Sequence, residues 1–247
     1  MYEKLLGFAL VLTRISAFFL VLPVFGWKTI PAQIKVAATV LLSLFFYFIS
    51  PLPAGLGRAA PLTAFLLLSG EALYGLALGL IIALLFSVVR LSGLIIEQQM
   101  GLTMSEILDP LTENETSPFG SLVEMVFVLL FLSANGHHLF LLVLSRSYDA
   151  FPSGTMPTIA LLAGAVVNTS TAMFAAGLRL AAPMLAAFLV LMVALALLAR
   201  LVPEMNILFV SLPVRVALGL FLTAMFLPFI NGFVTEMADW MVKLLPL

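Results

Sequence analysis

The 247-residue sequence contains no cysteine and few charged residues. The absence of cysteine excludes disulfides, thiolate metal sites and cysteine nucleophiles. Charged residues make up 9% of the chain and apolar residues 63%, whereas soluble domains have about 25% and about 45–50%. This composition excludes an ordinary soluble enzyme, a disordered chain and a nucleic-acid binder, which needs a basic patch. It predicts a protein surrounded by lipid, by other subunits, or by both.

Catalytic signatures are also missing from the sequence. It has no zinc-protease motif, nucleophile elbow, P-loop or dinucleotide fingerprint. The two histidines, His137 and His138, are neighbours; adjacent helical side chains point about 100° apart, which suits a metal ion poorly. We therefore expect no catalytic residue, no cofactor and no metal site. The first residues lack the basic region and cleavage site of a secretory signal, so we expect the mature protein to start at Met1.

Apolar runs of membrane-spanning character divide the chain. They lie at roughly 5–22, 34–50, 62–89, 122–144, 172–198 and 207–230, and a crossing needs about 20 residues. The pattern predicts an all-α membrane protein with about six helical segments in a single domain, 1–247. Lysine and arginine divide four against four between the two sides of such a bundle, so the orientation rule gives no answer. Either the helix count is off by one, or the helices do not form a conventional six-span bundle.

Ionisable residues interrupt several of these runs. Each costs about 2.5–3.5 kcal/mol at the centre of a membrane helix, so such residues normally face protein or water and pair with one another. The candidates for buried charges are Arg14, Glu71, Glu124, Arg179 and Arg215. We expect pairs of opposite sign, with the partners left open; Arg14 and Glu124 could instead lie near helix ends and snorkel. Gly75 and Gly79 form a GxxxG pattern, which indicates close helix packing.

The connector 101–120 stands out by its charge. It holds four acidic residues, Glu106, Asp109, Glu113 and Glu115, and no basic one. One interpretation is a solvated loop. The other is a mobile element at the mouth of an aqueous path, where Met100 and Met104 could fill irregular gaps because methionine is flexible.

Three stretches resemble a known family in order along the chain. The first is Gly-Leu-Ile-Ile-Glu-Gln-Gln-Met-Gly-Leu-Thr-Met-Ser-Glu-Ile-Leu-Asp-Pro at 93–110. The second is Leu130–Leu139 with Phe151–Gly154, and the third is Val202–Pro213 followed by Gly219 and Leu220. These residues resemble the FliR family of flagellar type III secretion export-gate proteins. The resemblance covers most of the chain, and the first stretch is long and specific.

The resemblance implies a structural subunit rather than an enzyme. FliR-type proteins assemble with FliP and FliQ into a helical, hetero-oligomeric channel in the bacterial inner membrane, at the flagellar basal body. Much of that assembly is raised above the bilayer plane, and its helices are bent into hairpins. FlhB and FlhA are neighbouring partners, and unfolded flagellar axial proteins pass through the channel. The implied surroundings are partner proteins and membrane lipid.

The resemblance also implies a plug below the channel constriction. It would occupy the acidic loop 101–120, with the candidate residues Met100, Met104, Glu106, Asp109, Pro110 and Phe119. Ser105–Leu108 and the acidic residues near 113–115 depart from the family pattern, so the place of the plug is better supported than the role of any one side chain. Two alternatives remain: the equivalent SctT subunit of a virulence injectisome, and a small-solute transporter that uses Glu71 and an arginine as a coupling pair.

Overall fold

The computed structural model describes residues 2–23, 31–50, 60–102, 117–155, 158–202, 204 and 206–244. Within these ranges the chain forms helices and no strand. The helices are α1 (Tyr2–Val21), α2 (Ala32–Ile49), α3 (Pro61–Met100), α4 (Pro118–Ser133), α5 (His137–Ala150), α6 (Ile159–Leu201) and α7 (Ile207–Leu244). The prediction of an all-α protein is confirmed.

The helix boundaries follow local chemistry. Pro31 precedes α2 and Pro61 begins α3, because proline lacks the N–H that the first turn of a helix cannot pair. The predicted run at 122–144 is interrupted at Ala134–Gly136, where Asn135 has a φ of 59°. Asparagine tolerates this left-handed conformation better than most residues. The predicted run at 172–198 starts earlier in the structure, because α6 already begins at Ile159 and has 43 residues.

Five of these helices are long and apolar enough to cross a membrane, and six crossings result if α4 and α5 form one broken span. The apolar composition of the sequence predicts this number, because about 20 apolar residues span the hydrocarbon core. Their burial within the chain differs widely. Of the 18 residues in the most apolar stretch of α3, 56% are buried within the chain, compared with 22% in the corresponding stretch of α6.

The chain divides into two compact units. The first comprises Met1–Leu85, Asn135–Thr171 and Glu236–Leu247, and the second comprises Phe86–Ala134 and Ala172–Thr235. Each unit takes in separate stretches of the sequence, and α3, α6 and α7 each contribute to both units. This is a division by packing rather than into consecutive sequence domains, so the single domain 1–247 stays a prediction.

Each unit has its own apolar core. In the first unit, Leu10, Ile15 and Phe18 of α1 and Leu78 of α3 are completely buried. In the second unit, the ring of Phe86 lies 5.5 Å from that of Phe127 and 5.1 Å from that of Phe131 (both from α4), in edge-on geometry. Such aromatic pairs add about 0.5–1.5 kcal/mol beyond the burial of their area.

Candidate functional site: a buried charge cluster and a carboxylate clasp

Two glycines of α3 allow α1 to approach closely. A Cβ atom at Gly75 would collide with the carbonyl oxygen of Arg14, and one at Gly79 would lie 2.7 Å from the carbonyl oxygen of Phe18. Both glycines lie on one face of α3, since they are four residues apart. The GxxxG pattern predicts a close helix contact without naming the partner, and the structure identifies the partner as α1.

Arg14 and Glu71 meet beside this contact. The Nε atom of Arg14 lies 2.5 Å from Oε2 of Glu71, and the two side chains are 0% and 2% exposed. Glu71 lies one helical turn before Gly75, so the glycine lets the backbone of α1 come near enough for the two side chains to pair. Two charges in an apolar interior are tolerated only when they are paired and hydrogen-bonded.

The pair also holds the end of α5 and the turn that follows. Nη1 of Arg14 donates to the carbonyl oxygens of Ser147, at 3.2 Å, and Phe151, at 2.9 Å. The backbone N–H of Gly154 donates to Oε1 of Glu71 at 2.6 Å. The carbonyl groups at the C-terminal end of a helix carry partial negative charge, which favours a nearby cation. One ion pair therefore connects α1, α3 and the end of α5.

Two tyrosine rings enclose the guanidinium group. The Cζ atom of Arg14 lies 4.8 Å from the ring centre of Tyr74 and 4.3 Å from that of Tyr148. Phe46 of α2 stacks on Tyr148 with 5.5 Å between ring centres. A cation within about 6 Å of an aromatic face gains about 2 kcal/mol when both are desolvated. We call Arg14, Glu71, Tyr74 and Tyr148 the Arg14 cage.

A second buried carboxylate joins α3 to α4. Glu97 is 1% exposed; it accepts a hydrogen bond from the hydroxyl of Ser117 and one from the backbone N–H of Gly120 at 3.1 Å. Ser117 also caps α4, because its Oγ accepts from the same N–H. The helices are in close contact here, since a Cβ atom at Gly93 would lie 2.8 Å from Cα of Gly120. We call Glu97, Ser117 and Gly120 the Glu97 clasp.

The predicted plug lies only partly in the described chain. Met104, Glu106, Asp109 and Pro110 fall outside the described residues. Met100 is completely buried at the end of α3, where its Sδ atom would lie 2.7 Å from a Cβ atom placed at Gly219 of α7.

The predicted loop boundary at residue 120 needs a correction. Phe119 belongs to the first turn of α4 and is 5% exposed. Helix α4 begins at Pro118 because a capping serine followed by proline starts a helix. Residues 118–120 are therefore helical and do not belong to a loop.

The remaining charge candidates differ from Arg14 and Glu71. Glu124 is partly exposed, and its Oε2 lies 4.0 Å from Nε of Arg90, whose side chain is 56% exposed. Arg215 is partly buried, and its Nε has no hydrogen-bond partner among the described residues. Arg179 is exposed on α6 within this chain, where only 22% of the most apolar stretch of that helix is covered by the chain itself, so its burial stays a prediction.

Sequence reasoning did not identify the tyrosines of the cage or the burial of Glu97. Tyr74 lies three residues after Glu71 on the same helical face, which is a usable signal. Ser117 followed by Pro118 is a helix-start signal, and it would have directed attention to an acidic residue near that terminus.

These features define a class of protein: an all-α membrane protein that keeps fixed, internally paired charges and has no visible reaction centre among the described residues. Comparison with known proteins narrows the class. Residues 5–241 match the family "Bacterial export proteins, family 1". The chain belongs to this family, which is the FliR family of the flagellar export apparatus.

Individual relatives cover nearly the whole chain. It is 31% identical over 221 residues to the flagellar biosynthetic protein FliR of Bacillus subtilis, covering 86% of this chain and 83% of that protein. It is 30% identical over 222 residues to FliR of Caulobacter vibrioides, covering 88% and 86%. It is also 27% identical over 221 residues to Yop proteins translocation protein T of Yersinia pestis, covering 88% and 84%.

Proposed function

We propose that this chain is a non-catalytic channel subunit of the flagellar type III protein export gate. In this role it assembles with FliP and FliQ in the bacterial inner membrane, at the flagellar basal body, and lies next to FlhB and FlhA. Unfolded flagellar axial proteins are the cargo. The observation that carries the proposal is the family match over residues 5–241, together with relatives at about 30% identity that are flagellar biosynthetic proteins.

The uncovered surface of α6 supports an assembled rather than a solitary protein. Only 22% of its most apolar window is buried within the chain, and Arg179 projects from it. An arginine in the middle of an apolar helix is costly in lipid unless it faces protein or water. A neighbouring subunit or a wet channel beside α6 supplies such a partner.

Co-purification tests the assembly. An affinity-tagged chain is expressed with and without FliP and FliQ, extracted in detergent and analysed by size-exclusion chromatography. We expect the three proteins to elute as one particle, and the chain expressed alone to aggregate or be degraded. A stable solitary monomer that binds a small solute would contradict the export role and favour a transporter.

The proposal includes the plug at the acidic loop. The part that can be removed without touching the Glu97 clasp is 104–116, and its acidic residues carry no compensating base. Deleting 104–116 should raise the ion leakage of cells that carry the assembled gate, measured as the decay of membrane potential. Ser117→Ala is the control, because it alters the Glu97 clasp and leaves the loop intact. Normal leakage from a correctly assembled deletion variant would refute the plug.

An injectisome subunit is the second candidate. It is supported by the 27% identity to the Yop translocation protein of Yersinia pestis. Complementation separates the two functions: the chain is expressed in a bacterium that lacks its own flagellar subunit of this family, and swimming on soft agar is measured. Swimming supports the flagellar role, whereas rescue only of injectisome secretion supports the alternative.

A further inference from the structure

A tight turn follows α5 and lies against the Arg14 cage. The backbone N–H of Thr155 donates to the carbonyl oxygen of Pro152 at 3.0 Å, and Gly154 has a φ of 82°. A β-turn with a positive φ at its third residue only is of type II, and glycine is favoured at that position. Ser153 and Gly154 are therefore the two central residues of this turn.

The turn is attached to both members of the ion pair. Nη1 of Arg14 donates to the carbonyl oxygen of Phe151 at 2.9 Å, and the N–H of Gly154 donates to Oε1 of Glu71 at 2.6 Å. Ser153 lies between these two points of attachment, and it is completely buried. Its hydroxyl group is therefore enclosed beside the ion pair.

Two polar atoms at this place have no hydrogen-bond partner among the described residues. They are Nη2 of Arg14 and Oγ of Ser153, and both residues are 0% exposed. The other two nitrogens of the guanidinium group are paired, Nε with Glu71 and Nη1 with the end of α5 and the turn. Because all three nitrogens are bonded to one carbon atom, Nη2 lies in the same part of the core. Buried polar groups are rarely left unpaired, since each has lost its hydrogen bonds to water.

The charges of the cage select the class of molecule that fits between these two atoms. Arg14 and Glu71 neutralise each other, so an added ion of either sign would be a buried charge without a counter-charge. A guanidinium nitrogen only donates hydrogen bonds, whereas a serine hydroxyl both donates and accepts. The fitting molecule is small and neutral, accepts from Nη2 and donates to Oγ. Water has all of these properties.

We propose that a buried water molecule binds between Nη2 of Arg14 and Oγ of Ser153. Buried waters typically make about three hydrogen bonds to groups that are otherwise unpaired. The water joins α1 to the turn after α5 through two groups that the ion pair itself leaves unused. This binding site belongs to the interior of the first unit, and it does not depend on the proposed export role.

Radiolytic labelling of the full chain, purified with the subunits that co-elute with it, tests the proposal. An X-ray pulse forms hydroxyl radicals from water, and these react close to where they form, so a label on a buried ring reports a water molecule beside it. Tyr74 and Tyr148 are 1% and 2% exposed and enclose the Arg14 guanidinium. We expect mass spectrometry to find both tyrosines oxidised. Phe127 and Phe131, which are 0% exposed in an apolar core, should remain unlabelled.

Two buried serines provide matched variants. Ser153 and Ser147 are both 0% exposed, but Oγ of Ser147 already donates to the carbonyl oxygen of Leu144 at 2.7 Å. Ser153→Val removes the hydroxyl and adds apolar bulk at the site, so the labelling of the two cage tyrosines should be lost. Ser147→Ala should leave the labelling unchanged. Ser153→Gly should retain the labelling, because it leaves room for water and glycine is tolerated in a turn.

A density map of the same particle needs no substitution, so it tests the proposal even if Ser153→Val fails to assemble. At a resolution that shows ordered water, we expect a peak about 3 Å from both Nη2 of Arg14 and Oγ of Ser153. A direct hydrogen bond between these two atoms would overturn the proposal. So would unlabelled cage tyrosines, or equal effects of Ser153→Val and Ser147→Ala. A peak that disappears in chloride-free buffer would show a bound anion and would also overturn it.

Discussion

Glu71 and Glu97 are both buried carboxylates of α3, one in each compact unit, and they differ in the kind of partner that neutralises them. Glu71 faces a full positive charge, the Arg14 guanidinium at 2.5 Å. Glu97 accepts hydrogen bonds from Ser117 and from the N–H of Gly120 at the start of α4, and it has no cationic partner among the described residues. The N-terminus of a helix supplies about half a positive charge, which falls off within one turn.

The difference decides what each substitution leaves behind. Neutralising Glu71 leaves a buried arginine without its counter-charge, whereas neutralising Glu97 leaves only neutral hydrogen-bond donors, which an amide can still satisfy. Breaking a buried ion pair by removing one partner costs far more than the pair itself contributes. The first unit therefore depends on its carboxylate as a charge, and the second depends on its carboxylate as an acceptor.

The largest expected effect is that of Glu71→Gln. It should lower the free energy of unfolding by about 3–5 kcal/mol, because the Arg14 charge remains buried and unpaired. Thermal unfolding in detergent, followed by circular dichroism, measures the change. The matched control is Glu124→Gln, which removes a partly exposed carboxylate 4.0 Å from Arg90 and should cost at most about 1 kcal/mol.

A double variant tests whether the stranded charge is the cause. In Arg14→Met/Glu71→Gln both charges are removed, and a methionine lies between the two tyrosine rings, where thioether–aromatic contacts are favourable. We expect this variant to be more stable than Glu71→Gln alone. If the double variant were less stable, or if Glu71→Gln behaved like Glu124→Gln, the electrostatic account of the cage would be wrong.

A smaller effect is expected of Gly75→Ala. The new Cβ atom would collide with the Arg14 carbonyl oxygen, so α1 must move away from α3 and the ion pair must lengthen. Overpacking of this kind costs about 1–3 kcal/mol. Gly164→Ala in α6 is the control, since a Cβ atom there meets nothing within 4 Å. Equal melting temperatures for the two variants would argue against a tight α1–α3 contact.

The extent to which the sequence predicts this site depends on where each partner lies. Arg14 and Glu71 are recognisable as candidates because charges are costly in apolar runs. Their pairing cannot be recognised from the sequence, because 57 residues separate them and no local pattern links α1 to α3. The Ala134–Gly136 break is signalled locally by Asn135 and Gly136. The exposure of Arg179 has no local signal in the sequence, because burial of a helical side chain depends on which neighbours cover that face of α6.

The smallest effect, and the sharpest test of the comparison, is that of Glu97→Gln. The amide oxygen can accept from the Ser117 hydroxyl and the Gly120 N–H, and no buried cation is left behind. What is lost is the charge-assisted part of two hydrogen bonds and the interaction with the N-terminus of α4, about 1–2 kcal/mol in total.

The same unfolding assay measures this loss of stability, with Glu97→Leu as the variant that also removes the hydrogen-bond acceptor. We expect Glu97→Gln to lower the stability least, Glu97→Leu to lower it more, and Glu71→Gln to lower it most. If Glu97→Gln were as damaging as Glu71→Gln, Glu97 would be acting as a charge, and the distinction between the two units would not hold.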